Sequence, residues 1–252
     1  MQLTGNTILI TGGGSGIGRG LAESLHNLGN KVIIAGRRQG ALDETTRANP
    51  GIVSMNLNVN DSDAIRAFAD RVTAEHPGLN VLVNNAGIMK TENLKTLPAG
   101  LDDSEAIITT NLLGPIRLTA VLLPHLQRQA RAAIINVSSG LAFVPLPVTP
   151  TYSATKAALH SYTLSLRVQL ADTAVEVIEI IPPAVATDLT PGRFPTDPRM
   201  MSLPDFIDQT MQILQKQPTP SEICVERVKF LRFAEVTGTF DNALQQLSGV
   251  RL

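Results

Sequence analysis

Tyr152 and Lys156 stand four residues apart in the stretch TYSATKAALHSYTLSLRVQL, from Thr151 to Leu170. The stretch is rich in Ala and Leu, holds no Gly or Pro, and follows Pro150, so it reads as a helix. Four-residue spacing puts both side chains on one face, one turn apart. Such a pair can move protons. A free phenol titrates near ~10, too high for acid–base work at neutral pH. An ammonium about 4 Å away, at an effective dielectric of about 20, favours the phenolate by roughly 4 kcal/mol, or about 3 pKa units. The expectation is a phenol brought near neutrality. Helix spacing alone also produces Tyr–Lys pairs without chemistry, so the weight falls on the motifs around this one.

The elements that must position the pair begin at the start of the chain. Thr7 to Thr11, TILIT, is a short apolar run that reads as a strand buried on both faces. GGGSGIG follows from Gly12 to Gly18, then an amphipathic stretch to Leu28 closed by Gly29-Asn30, then a second strand from Lys31 to Ala35. This is a βαβ unit with a Gly-rich turn. Glycines there permit a tight turn and let a pyrophosphate approach backbone N–H groups at a helix N-terminus. The spacing is Gly12-xxx-Gly16-x-Gly18, to which no strict GxGxxG fits. A Gly-rich turn can also serve only to open a helix; its place after a first strand favours phosphate binding.

Further strands are expected at Ile52–Leu57, Val81–Val83, Ala132–Val137 and Val175–Ile181. Helices are expected at Asp61–Glu75 and from about Asp102 to Leu123, with Pro115 kinking the latter and Pro124 ending it. The alternation predicts an α/β fold, a three-layer doubly wound parallel sheet of the Rossmann type, in a single domain over residues 1–252. Six strands can be counted; a seventh is doubtful. From Pro182 the chain is rich in Pro and Met, and a substrate-side lid is expected over about 188–218. Helical stretches are expected at about Pro204–Lys216 and Pro220–Glu235, and a short helix near the end.

Composition narrows the field. Net charge is −1, which gives no footprint for nucleic acid or for a polybasic membrane surface. One cysteine, Cys224, excludes an internal disulfide, and four scattered histidines offer no paired metal-ligand spacing, so no metal is expected. No secretory leader is evident and no apolar run reads as a membrane span, so a cytoplasmic protein is the default.

Ligands of open parallel sheets bind beyond the carboxyl ends of the strands. Gly12–Gly18, Asn84–Gly87, Ser138–Ser139 and Pro182–Thr187 all fall there, with the Tyr–Lys helix beside them. A phenol, an ammonium and a hydroxyl would meet a dinucleotide in one crevice, which suits hydride transfer. In these residues the chain resembles the short-chain dehydrogenases/reductases of typical length. The matching residues are Thr11 to Gly18, Asn84-Asn85-Ala86-Gly87, Asn111, Ser139, Tyr152-xxx-Lys156, and Pro182 with Thr187. Through TGNTILITGG, NNAGIM, INVSSGLAFVPL and RVKFLR it is also similar to a DltE-like bacterial subgroup, from which no cell-wall role is carried over.

The resemblance implies roles. Tyr152 is the general acid in reduction and the base in oxidation. Lys156 lowers its pKa and holds the nicotinamide ribose, Ser139 hydrogen-bonds the substrate oxygen, and Asn111 holds a water linking Lys156 to solvent. Gly12, Gly14, Ser15, Gly16, Ile17 and Gly18 hold the pyrophosphate. Asn58 and Val59 flank the adenine, Asn85, Ala86 and Gly87 line the adenosine side, and Pro182, Val185 and Thr187 meet the nicotinamide. Relatives pair the helices holding Asn111 and Tyr152 across a two-fold axis, which implies a homodimer. Two departures stand out: Pro182-Pro183 where the family has Pro-Gly, and the missing Gly-rich seventh strand.

Cofactor choice can be read from residues. A dinucleotide fold that takes NAD commonly ends its second strand in Asp or Glu, bound to the ribose 2′-OH. Here KVIIAGRR ends in Gly36, Arg37 and Arg38, with no carboxylate before Asp43. Guanidiniums attract a 2′-phosphate, so NADP is expected, with NAD possible; of the two, Arg37 matches the family's phosphate-reading position. Both arginines could instead simply open a solvated helix. The substrate is expected to be a small carbonyl compound or secondary alcohol. Phe143, Val144, Leu146, Val148, Phe194, Met200 and Met201 suggest an apolar wall for it. A non-catalytic dinucleotide sensor on the same fold is the alternative, and such sensors typically lack the Tyr or the Lys.

Overall fold

The computed structural model describes residues 1–96, 101–189, 199–217 and 219–249. Seven strands form one parallel sheet: β1 (Thr7–Thr11), β2 (Lys31–Gly36), β3 (Val53–Asn56), β4 (Leu79–Asn84), β5 (Ala132–Val137), β6 (Val175–Ile180) and β7 (Glu222–Ile223). Their order is β3-β2-β1-β4-β5-β6-β7. The strands are apolar on both faces because helices cover both. Ile8, Ile10, Ile34 and Val83 pack on one side with Leu21 and Phe206. Leu9, Ile33, Leu82 and Ile134 pack on the other with Phe68, Leu118 and Leu166. The helices are α1 (Gly16–Asn27), α2 (Gln39–Ala48), α3 (Ser62–Glu75), α4 (Asp102–Ile108), α5 (Gly114–Leu126), α6 (Pro150–Gln169), α7 (Leu203–Lys216), α8 (Lys229–Arg232) and α9 (Phe240–Ser248).

The doubly wound fold is as expected, but the seventh strand is real. Glu222–Ile223 pairs in parallel with Glu179–Ile180, inside a stretch expected to be helical. Two residues behind a proline carry no strand pattern; only the open edge of β6 makes them one.

The proline expectations also need correction. The irregularity ascribed to Pro115 is a π turn over Thr109–Leu113, one turn ahead of the ring. Pro115 has no N–H to return to the carbonyl of Asn111, four residues back. Pro124 does not end α5, which runs on to Leu126. The carbonyl that Pro124 leaves without a donor belongs to exposed Ala120, where water can serve it. The continuous helix Asp102–Leu126, 25 residues, is long and apolar enough to cross a membrane, contrary to the sequence reading. Here it is a helix of the sheet's covering layer, packed on α3 and α6, with Leu118, Leu122 and Leu126 fully buried.

The lid expectation falls partly on residues 190–198 and 218, outside the described residues. Of the rest, Leu203–Lys216 is a helix docked on α1, and Met201 is stitched to Ala184 and Ala186 by backbone hydrogen bonds of 2.8 and 2.9 Å.

The sheet order reverses between β1 and β4, so the loops after these strands open a crevice. Thr11 ties the two: its hydroxyl accepts from the N–H groups of Asn85 and Ala86, at 3.0 and 3.1 Å. Gly18 brings α1 onto this junction. A Cβ there would lie 2.4 Å from both the Gly12 carbonyl oxygen and the Asn85 side chain. Gly18→Ala should therefore destabilise the fold by about 1–3 kcal/mol, the usual cost of overpacking. Thermal unfolding should record a fall of roughly 2–12 °C; an unchanged melting temperature would show that the junction yields.

Candidate active site

Helix α6, which carries Tyr152 and Lys156, is aimed from its first turn. Its N-terminal residue Thr149 offers no side-chain cap. Glu92, from the segment after β4, serves instead: its carboxylate accepts from the Thr151 N–H at 3.0 Å and the Thr151 hydroxyl at 2.7 Å. A carboxylate also favours the positive end of the helix dipole. Ser153 adds a second tie, accepting from the Leu146 N–H at 3.2 Å and donating to the Thr149 carbonyl at 3.0 Å.

Tyr152, Lys156 and Ser139 come together. Tyr152 and Lys156 lie on one buried face of α6, the ammonium 5.6 Å from the phenol ring centroid. Lys156 Nζ donates to the Val137 carbonyl at 2.8 Å, at the end of β5. Ser139 follows two residues later and hydrogen-bonds the phenol. The expected near-neutral phenol is not what results. Burial pushes Tyr152 up to about 12, with the Ser139 hydrogen bond pulling the other way. Burial also pushes Lys156 down to about 8, opposed by the charge of Glu179. Sequence spacing carries no desolvation, and the ammonium is spent on a carbonyl instead of the phenolic oxygen. At neutral pH the phenol keeps its proton.

These groups face a cleft of about 890 Å³, within the size range of small-molecule sites. Gly12, Gly14, Ser15, Gly16, Ile17, Arg37, Arg38, Val59, Asn85, Ala86, Gly87, Pro182, Val185 and Thr187 all line it. The cleft fits a dinucleotide on two observations. A Cβ on Gly16 would meet Thr187 at 3.4 Å, so the glycine loop and the loop after β6 face each other across a narrow gap. At the end of β2, Arg37 and Arg38 are exposed, and Arg38 Nη2 donates to Ser15 Oγ at 2.8 Å. No Asp or Glu lines the cleft among the described residues.

Three sequence candidates lie elsewhere. Gly18 is a packing contact. Asn58 is exposed, and its side chain accepts from the Asn60 N–H at 3.2 Å. Asn111 is fully buried in the π turn and clasps Ile88, donating to its carbonyl and accepting from its N–H, both at 2.9 Å. It also donates to Thr155 on α6 at 3.3 Å. It thus fastens the segment after β4 to α6, and bonds neither its own turn nor Lys156.

Of the expected apolar wall, Leu146, Val148 and Met200 line the cleft. Val144 and Met201 are buried in the core, Phe143 packs edge-on against His160, and Phe194 lies outside the described residues. The cleft has further lining that sequence reasoning missed: Lys90 after β4, Arg227 just before α8, Phe230 and Leu231 on it, and Gln246 and Leu247 on α9. Only the run RVKFLR hinted at these, as a subgroup likeness with no role attached. Gly140 explains their closeness: a Cβ there would lie 2.8 Å from Val228 and Leu231, so this segment rests directly on the residue after Ser139.

Among the described residues, His160, Glu179 and Glu222 bring ligand atoms within 4.8 Å of one another. Both oxygens of Glu222 are already taken by Arg232, at 2.7 and 2.8 Å. The grouping thus already contains an Arg232–Glu222 ion pair, beside the hydrogen bond between His160 and Glu179.

A family model described as short chain dehydrogenase matches residues 6–197. The chain is similar to an uncharacterized oxidoreductase, DltE, of Bacillus subtilis (strain 168), at 43% identity over 98% of both chains. It is similar to an NADP-dependent 3-hydroxy acid dehydrogenase of Schizosaccharomyces pombe, at 31% identity over 78% of each. In fold it is similar to a short chain dehydrogenase of Burkholderia cenocepacia J2315 solved in complex with NADP, with a TM-score of 0.80, 23% identity and 98% of both chains covered. With the Tyr152-xxx-Lys156 helix, Ser139 and the glycine loop on one cleft, and a family match across most of its length, this chain belongs to the short chain dehydrogenases.

Proposed function

We propose that the protein transfers a hydride between NADP(H), with NAD(H) as the lesser partner, and a carbonyl compound or secondary alcohol, with Tyr152 as the general acid or base. The observation that carries this reading is the meeting of Ser139, Tyr152 and Lys156 in a cleft whose other end holds the glycine loop and two arginines. When bound, the cofactor supplies or accepts the hydride. Ser139 orients the substrate oxygen toward the phenol. Tyr152 carries its proton at neutral pH, so in reduction it can donate at once to a developing alkoxide, a far stronger base than a phenolate. In oxidation the phenol must first give up that proton, and the buried Lys156 charge favours its loss. Asn111 keeps the segment after β4 seated against α6. Leu189 and Met200 add apolar lining to the same cleft. A cytoplasmic homodimer completes the reading.

Tyr152→Phe keeps the ring and removes the proton. Turnover should fall by roughly 10²–10⁴ while cofactor binding persists, because general acid–base groups contribute about that much. Near-normal turnover with carbonyl substrates would remove Tyr152 from the reaction.

Arg37→Ala tests cofactor choice. One hydrogen bond to a charged group is worth roughly 1.5–3 kcal/mol, so losing it should weaken NADP(H) by about 10- to 150-fold and leave NAD(H) nearly unchanged. Dissociation constants for both cofactors decide this. A wild type that prefers NAD(H), or a variant with unaltered preference, refutes the reading.

The dimer rests on exposed apolar side chains on the two helices concerned: Ile108 on α4, and Leu164 and Val168 on α6, the last 78% exposed. Light scattering at micromolar concentration should give twice the chain mass, and Val168→Glu should reduce it to one. A wild-type monomer would count against the pairing.

A further inference from the structure

A row of polar side chains crosses the sheet beneath α6. Asn84 pairs with Asn136, Asn136 with Glu179, and Glu179 with Glu222, each as direct cross-strand partners. Cross-strand partners share a face of the sheet. Asn84 and Asn136 are joined by a hydrogen bond of 2.9 Å, and Asn136 donates to Thr163 on α6 at 2.9 Å. Glu179 is different. It is fully buried, one oxygen meets His160 Nδ1 at 2.8 Å, and the other, Oε1, has no hydrogen-bond partner. A buried carboxylate left half unsatisfied is costly, and a neutral side chain would serve the core better.

The surroundings say what the charge is for. Tyr152, Lys156 and His160 follow one another at four-residue intervals on α6, so they form one stripe facing the sheet. Lys156 is held at the Val137 carbonyl, and Val137 is the neighbour of the residue that pairs with Glu179. Among the described residues, the other charged groups on the elements around Glu179 are engaged elsewhere. Glu222 on β7 is paired with Arg232 on α8, and that pair flanks the thiol of Cys224. Arg167 on α6 donates to the carbonyls of Val177 and Ser221. That leaves His160, which meets the Glu179 carboxylate directly, and Lys156, one turn before it on the same stripe and held at the carbonyl of the residue next to Glu179's strand partner.

We propose that Glu179, fixed by His160, is the positioning residue that keeps Lys156 charged: a buried counter-charge acting from beneath the catalytic helix, outside the cleft. The proposal rests on the oxidoreductase reading for its effect on turnover, but not for its effect on Lys156. The direction agrees with the opposing influences on Lys156, where burial lowers its pKa and Glu179 raises it.

The test is a titration of Lys156 by NMR in protein carrying ¹³C at the lysine ε-carbon, the signal assigned by its loss in Lys156→Arg. An anion raises the pKa of a nearby ammonium, so removing it lowers that pKa. Glu179→Gln should move the Lys156 midpoint down by roughly 1–2 pH units, as expected for a charge several ångströms away at an effective dielectric of about 20. Glu179→Asp, which keeps the charge but draws it back by a methylene, should fall between. In carbonyl reduction the alkaline limb of the kcat profile should move down in the same order, with near-wild-type kcat on the acid side. Lys156 midpoints that coincide in wild type, Asp and Gln variants overturn the proposal. If Glu179→Gln does not fold, the Asp variant decides by the same shift. If the wild type turns over no carbonyl or alcohol, the oxidoreductase reading fails while the titration still decides the role of Glu179.

Discussion

The ammonium of Lys156 is a charge taken out of water, and much of the architecture around it follows from that. A buried ammonium must be met by oxygen atoms or lose its proton. The parallel sheet supplies one at the end of β5, where the Val137 carbonyl has no further strand partner to serve and accepts from Nζ. This fixes where α6 can lie. Once the helix is there, Tyr152 one turn earlier overlooks Ser139, because Ser139 is the second residue beyond the same strand end. The geometry of the three groups is thus set by one strand, one helix and one hydrogen bond between them.

That helix is held from three sides. Glu92 anchors its N-terminus, Asn111 reaches Thr155, and Asn136 reaches Thr163. Two of these anchors stand on the chain after β4 or beside it, and β4 is also the strand whose loop is stitched to β1 by Thr11. The end of the cleft that holds Tyr152 and the end that holds the glycine loop therefore share a mechanical border. Asn111 shows why a local distortion survives there: a π turn places its amide where a regular helix would not, and such turns are frequent at functional sites.

What was legible in the sequence was whatever depends on local spacing. The glycine turn after β1, the arginines ending β2, the Ser139–Tyr152–Lys156 set and the alternation of strands and helices all carry their pattern in neighbouring residues. What was not legible depends on burial or on distant partners. β7 exists only because β6 has an edge to pair with. The phenol of Tyr152 moved opposite to expectation because spacing predicts a nearby charge but not the loss of water that outweighs it. Asn111 and Asn58 carry the right letters, yet one is spent on a backbone clasp and the other faces solvent. Glu179 reads in sequence as an acid interrupting an apolar strand; only the sheet register reveals that it lies under α6.

The two ends of the cleft are built on different principles, and this bears on what varies. The end with the glycine loop is shaped by backbone, through glycines whose Cβ would crowd its neighbours and N–H groups tied to Thr11, with Arg37 and Arg38 at its rim. The other end is made of side chains from late segments of the chain, at α8 and α9, resting on Gly140 through Val228 and Leu231. Arg232 belongs to that same segment, grips Glu222 on β7, and lies 4.5 Å over the ring of Phe143, which itself touches His160. This wall of the cleft is therefore continuous, through an ion pair and two ring contacts, with the residues that surround Glu179. A change in how that wall seats has a physical route to the charge beneath Lys156, without passing through the cleft.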